Sequence, residues 1–167
     1  MSFWNSYLTE QSVYLFEQRQ RYCQFLNKHF SLDGKHFFID YQPSLINTDK
    51  FKEVFEEEIK YRRTLVGPQK DNFFIFLKND KEKNIHLFGS RSEQRLALFW
   101  LKINEINFYE ENFKIRPILL LDDIFSELDF NNRSLILRLI KNYQSILTTT
   151  EIEVIKIEEG VRSVIKI

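Results

Sequence analysis

The sequence predicts an α/β protein: strands of a parallel sheet with flanking helices, a helical segment at the N-terminus and a β-hairpin at the C-terminal end. Three observations carry that prediction. Ile118-Leu119-Leu120-Leu121 is a run of four aliphatics that stops at Asp122-Asp123, the pattern of a strand buried on both faces at the centre of a parallel sheet, with carboxylates where it leaves the sheet. Helical apolar spacing flanks the run, with Leu96, Phe99, Ile103 and Ile106 before it and Leu135, Leu139 and Ile140 after it. The chain of 167 residues, 43% hydrophobic and 29% charged, is long enough to bury a core and too apolar to be disordered.

Charge and cysteine narrow the function classes. Lys+Arg and Asp+Glu balance at 24 each, so a nucleic-acid contact has to come from a local patch. The lone Cys23 excludes an intramolecular disulfide and suits a reducing cytosol, where it reads as a small apolar helix residue. No apolar run is long enough for a membrane span and no signal pattern opens the chain. These features predict a soluble, cytoplasmic protein with no membrane partner.

In chain order, the stretch from Met1 to about Phe30 lacks Gly and Pro, and Leu8, Leu15 and Tyr22 fall at sevens with Trp4 and Phe25 on a complementary stripe. This predicts a long amphipathic helix facing a partner helix, with Gln11 and Gln18 as polar breaks in its seam. Asp33-Gly34 signals a turn, Lys35 to Tyr41 a short aromatic strand, and Pro43 its end. Thr48-Asp49 can cap a helix with Phe51, Val54, Phe55 and Ile59 on one stripe. After Gly67-Pro68, Asn72 to Leu77 and Ile85 to Phe88 read as two strands of a hairpin. A helix opens after Gly89-Ser90, and another runs from about Asn131 to Asn142 behind the central strand. Ser145 to Thr150 reads as a further strand, and Ile152 to Ile157 with Val161 to Ile167 as the terminal hairpin.

Two stretches carry chemistry. Carboxylates at the end of a buried strand are hard oxygen ligands, suited to a magnesium ion that carries nucleotide phosphates. Asp122-Asp123 therefore reads as a Walker-B pattern, and Ser126-Glu127-Leu128-Asp129 behind it looks like the D-loop of an ABC-type ATPase. Gly89-Ser90-Arg91-Ser92-Glu93-Gln94-Arg95 opens the preceding helix. A small-residue turn with a hydroxyl at a helix start offers N–H groups and a positive dipole end to an anion. That is where an ABC-type signature belongs.

With these motifs in order, the chain resembles the C-terminal part of the RecF family, bacterial recombination-repair proteins of the ABC/SMC ATPase superfamily. Phe3-Trp4-Asn5 to Asn27 is similar to the family's helical segment. Arg63-Thr64 with Val66-Gly67-Pro68-Gln69-Lys70-Asp71 matches its Gly-Pro-His-Arg-Asp element, and Phe88 to Arg95 its signature. Leu119 to Asp129 matches the Walker-B and D-loop, and Leu147-Thr148-Thr149-Thr150 the Thr-rich strand in the switch position. The resemblance divides the chain into a helical arm or lobe II segment, 1–62, and a C-terminal ATPase half, 63–167.

The resemblance implies a head that binds ATP between two copies, dimerises with ATP, clamps DNA (single-stranded or a junction) and works with other recombination mediator proteins. It implies that Asp122 helps hold Mg2+ and that Asp123, where many relatives have Glu, orients the attacking water. Ser90, Arg91, Ser92, Glu93 and Gln94 would contact the partner's ATP, Asp129 would act across the dimer, and Thr150 would sense phosphate. Arg62, Arg63, Lys70, Lys78, Lys81 and Lys83 are candidate DNA-phosphate contacts. Ser92 departs from the family's usual Gly, and Gln69-Lys70 from its His-Arg.

These residues contain no G-x-x-x-x-G-K-[ST], and the four glycines are too scattered to cradle a phosphate. The expectation is a fragment, from a truncated or split gene or an excised piece, that binds ATP poorly alone and hydrolyses none. The competing reading is a non-catalytic module or relic that docks on a partner. An SMC-like head or a transporter ATPase fits the Gly67-Pro68 element less well. Scattered histidines and a single Cys argue against a zinc enzyme.

Overall fold

A computed structural model describes residues 2–29, 31–78 and 82–150. The expected terminal hairpin, 152–167, and Lys81 lie outside the described residues. In chain order the elements are α1 (Ser2–Lys28), β1 (Ser31–Leu32), β2 (Lys35–Gln42), α2 (Thr48–Tyr61), a 3-10 turn (Pro68–Lys70), β3 (Asn72–Lys78), β4 (Glu82–Asn84), α3 (Ile85–Phe88), α4 (Arg91–Phe113), β5 (Leu119–Leu121), α5 (Phe130–Ile140) and β6 (Ser145–Leu147). They form two compact units, Met1–Phe30 with His36–Glu82, and Ser31–Lys35 with Lys83–Ile167.

In the first unit β2 and β3 pair antiparallel, with Phe37 opposite Leu77 and Ile39 opposite Ile75. Phe37, Leu77 and Ile39 are buried, while Phe38 and Phe76 stack with ring centroids 5.0 Å apart. Alternation along each strand produces those two layers. Helix α1 exists as predicted, but its packing face is a different one. Trp4, Leu8 and Leu15 are 65%, 48% and 39% exposed, whereas Ser12 and Leu26 are buried. Polar ties select the face: Asn27 donates to the Ile39 carbonyl at 2.9 Å and accepts from the Ile39 N–H at 2.8 Å, as a neighbouring strand would. Phe16 stacks on Tyr41 from the same face. Apolar spacing alone missed this, because the buried stripe carries small and polar residues.

Asn47, one residue before the expected cap, begins α2 by accepting the Lys50 N–H at 2.8 Å. On α2, Phe51 and Val54 are half-buried, whereas Phe55 and Ile59 of the expected stripe are exposed.

The second unit contains the two parallel strands, β5 and β6, with Leu119 beside Ser145 and Leu121 beside Leu147. Leu96, Phe99 and Trp100 of α4 are fully buried, as are Phe125 and Ile136. Ile103 and Ile106 continue that face, so the predicted α4 stripe is the observed one. Two expectations change. Ile85–Phe88 is a single helical turn rather than a strand: Asn84 caps its start at the Leu87 N–H, and the Gly89 N–H closes it onto the Ile85 carbonyl at 3.0 Å. A four-residue apolar run fits either state, and the flanking caps decide it. Strand β5 buries Leu119 and Leu121 on one face only, while Leu120 is 68% exposed.

Candidate functional site

Strand β5 delivers Asp122 and Asp123 at its carboxyl end, and the chain then turns through residues 124–127 before Asp129 caps α5. Asp123 and Glu127 both have left-handed backbones, φ 44° and 65°. A non-glycine residue there costs roughly 1–2 kcal/mol, least for Asp and Asn. Buried Ile124, Phe125 and Leu128 pin the turn from below. Thr148, just past β6, ties it from the side: its hydroxyl donates to Asp122 Oδ1 at 2.5 Å and accepts the Asp123 N–H at 3.1 Å. Its own N–H donates to the Leu121 carbonyl at 3.0 Å. Parallel pairing of β5 with β6 is what brings this hydroxyl to the carboxylates. Thr150, the expected phosphate sensor, is exposed two residues further on.

The start of α4 is built around Gly89 and Ser90. A Cβ on Gly89 would lie 2.4 Å from the Ile85 carbonyl oxygen, so the close of α3 requires glycine. Ser90 forms a full capping box with Glu93: its Oγ accepts the Glu93 N–H, and its own N–H donates to Glu93 Oε2 at 2.7 Å. Lys83 donates to both Glu93 oxygens, at 2.8 and 2.7 Å. Burial pulls the Glu93 carboxyl upward in pKa, but Lys83 and Ser90 outweigh it and leave Glu93 below its ordinary value. Gln94 donates to the Ile85 carbonyl at 3.3 Å.

This helix start is bonded to the turn behind β5. Arg91 donates to Glu127, and Arg95 donates to Ser126 Oγ at 3.1 Å. Ser92 Oγ lies 3.4 Å from Asp129 Oδ2 and accepts from the Asn132 side-chain amide at 2.9 Å. The structure therefore joins Arg91 to Glu127, Ser92 to Asp129, and Asp122 and Asp123 to Thr148. Sequence reasoning missed Thr148, Arg95 and Asn132. Asn132 stands three residues after the Asp129 cap, a capping-box position that could have flagged it.

The Gly67-Pro68 element lies in the first unit. Gly67 has φ 113°, a backbone that other residues rarely adopt. Asp71 closes the element: its Oδ2 accepts from Arg19 and from the Tyr41 hydroxyl, both at 2.5 Å, and its Oδ1 accepts the Ser44 N–H at 2.7 Å. Burial raises the Asp71 pKa, but Tyr41, Ser44 and Arg19 together hold it below the usual carboxylate value. Tyr41 is pushed up to about 12 by burial and by that carboxylate.

Of the candidate phosphate contacts, Arg62 is the exposed left-handed cap of α2, and Arg63 lies 5.9 Å from the Tyr61 ring centroid. Lys70 ends the 3-10 turn and Lys78 ends β3, both exposed. Lys83 is paired with Glu93. No helix among the described residues is long and apolar enough to cross a membrane.

A parallel strand ending in paired carboxylates, with a capped helix start bonded to the following turn, is the fold of part of a RecF- or SMC-type head. Solved structures agree. A structure described as the recombination mediator protein RecF-ATP in the RecFOR pathway matches 92% of this chain and 47% of its own at TM-score 0.71 and 25% identity. A structure from a study of ATP-driven dimerization and DNA-stimulated activation of SMC ATPases shares the fold, with TM-score 0.53, 17% identity and 90% of this chain covered.

By sequence the chain is a partial homologue of RecF. It is 35% identical over 150 residues to the DNA replication and repair protein RecF of Acetivibrio thermocellus, covering 80% of this chain and 40% of that protein. It is 31% identical over 145 residues to RecF of Clostridium perfringens, covering 82% of this chain and 39% of that protein. It is 32% identical over 163 residues to RecF of Lachnospira eligens, covering 92% and 44%. The chain thus spans about two fifths of the length of these relatives. No family model matches it.

Proposed function

We propose that the chain is the C-terminal part of a RecF-like, DNA-binding ATPase head that acts in the cytoplasm in recombinational DNA repair and replication-fork maintenance. Residues 1–62 are its helical arm segment, and 63–167 carry the signature, Walker-B, D-loop and switch strand. ATP lies between two heads, which close to clamp DNA, and other recombination mediators are its partners.

The observation that carries this reading is the doubled carboxylate at the end of β5, tied by Thr148 at the Asp122 side chain and the Asp123 N–H and followed by a turn bonded to the start of α4. Two adjacent carboxylates suit magnesium, which keeps several waters and binds through one or two carboxylates plus phosphate. When bound, the ion neutralises charge developing on the transferred phosphoryl group. Asp122 would hold the ion, and the Thr148 hydroxyl fixes the rotamer of that carboxylate. Asp123 orients the attacking water from its left-handed turn. Thr148, rather than Thr150, links the switch strand to the Asp122 carboxylate and the Asp123 main chain. Ser90 through Gln94 present the N-terminus of α4 to the partner head's nucleotide. Arg62, Arg63, Lys70 and Lys78 supply phosphate contacts, so DNA affinity falls steeply with added salt.

The test is to supply a Walker A lobe in cis or trans and follow nucleotide-dependent dimerisation and hydrolysis. The completed head hydrolyses ATP, and Asp123→Asn keeps ATP-dependent dimerisation while stalling turnover. Unchanged turnover in that variant would move the catalytic carboxylate elsewhere. A completed head with no response to ATP would leave a docking module.

A further inference from the structure

Asn132 is a buried polar side chain, 8% exposed, on the first turn of α5, and the reading above gives it no role. Its amide divides two donor hydrogens between two elements. One goes to Asp129 Oδ2 at 2.8 Å, the other to Ser92 Oγ at 2.9 Å. Its backbone N–H completes the Asp129 cap at 2.9 Å, and its Oδ1 faces Lys35 Nζ at 3.4 Å. Burial makes these bonds matter: an amide removed from water costs free energy unless its hydrogen bonds are made. Ordinary capping of α5 needs only the Asp129 bonds. The bond to Ser92, 40 residues away in sequence, is additional. It exists only because this chain has a side chain at 92, where a Cβ at a phosphate-facing turn needs explaining.

We propose that Asn132 is a positioning residue that locks the signature turn and the D-loop into one rigid body through Ser92 and Asp129. This rests on the ATPase reading for its purpose, since both segments would meet the partner head's nucleotide site. Arg91 with Glu127 and Arg95 with Ser126 run parallel to the lock on the exposed side. A lock of this kind makes the two segments close together rather than in turn.

Amide hydrogen exchange on the full chain tests the lock without ATP. Asn132→Ala speeds exchange in residues 90–94, and Ser92→Gly speeds it in 126–132, each by about fivefold, the worth of one net hydrogen bond. A purely local cap would loosen only the start of α5 in Asn132→Ala and leave 90–94 unchanged, which would overturn the proposal. Ser92→Gly guards against a folding defect, because it changes no residue of α5 or its Asp129 cap, and Asn131→Ala next door is the silent control. In the head completed with a Walker A lobe, Asn132→Ala lowers kcat for ATP with KM little changed. If the completed wild-type head hydrolyses nothing, the ATPase reading fails while the exchange result still decides the lock.

Discussion

Asp71 and Asp123 both end short motifs that the sequence marks as functional, yet their surroundings divide them. Asp71 accepts three hydrogen bonds within its own unit, from Arg19, Tyr41 and the Ser44 N–H. Its carboxylate holds α1, β2 and the Gly67-Pro68 turn together and is committed to structure. The Asp123 main chain is tied to Thr148 and Ser126, while its turn is strained and partly open to solvent. The first carboxylate is over-determined by partners. The second is held by its backbone, the arrangement expected where a side chain must act on something else.

The largest effect should come from breaking the over-determined side. Asp71→Ala strands the Tyr41 hydroxyl and the Ser44 N–H at once and leaves Arg19 only its bond to the Pro68 carbonyl. Discounting for the exposed part of Arg19, the loss should be about 3 kcal/mol, read as a lower urea midpoint. A loss of about 0.5 kcal/mol, typical of a surface site, would mean that water replaces the carboxylate easily and that Asp71 is free for other work.

Next in size is Gly89→Ala, at the start of the signature turn. The new Cβ would sit 2.4 Å from the Ile85 carbonyl oxygen, and that atom is backbone. Opening the turn should cost about 2 kcal/mol and speed exchange at the Gly89 and Ser90 amides. Unchanged stability would show that α3 unwinds at little cost.

What was legible follows the same division. The α4 stripe and the carboxylates behind β5 were readable because apolar period and residue type determine them locally. So was the helix start after Gly89-Ser90, whose capping-box partner Glu93 is three residues away. The α1 face was not, since Asn27 and Phe16 choose it through partners on β2. Nor was Thr148: three threonines in a row are equivalent until the β5–β6 register selects one. Asn132 was hidden because its second bond reaches back across 40 residues. Local chemistry could be read directly, whereas long-range polar pairing required the fold.

Acid titration should separate the regions more gently. Folding lowers the pKa of Asp71 and of Glu93. Their stabilisation is therefore complete above the ordinary carboxylate value, about 4, and is lost as pH falls through it toward the lowered values. Asp71→Asn should make that acid limb shallower. Tyr41 works at the other end: with its pKa raised to about 12, its contribution is complete below the ordinary tyrosine value, about 10, and fades as pH climbs between the two. A stability curve unaffected at both ends by Asp71→Asn would detach the hub from folding.

The smallest effect should be at Asp123 itself. Asparagine tolerates the left-handed backbone, keeps the N–H that Thr148 accepts and removes only charge from a partly exposed carboxylate. Asp123→Asn should thus change unfolding free energy by less than about 0.5 kcal/mol. Asp123→Val removes the same charge but puts a β-branched residue at φ 44°, costing roughly 1–2 kcal/mol. Equal stability for the two variants would show that the turn relaxes and that its strain does not hold Asp123. A large loss for Asp123→Asn would place this carboxylate with Asp71, as a structural tie, and would leave Asp122 as the only acid of the pair available for chemistry.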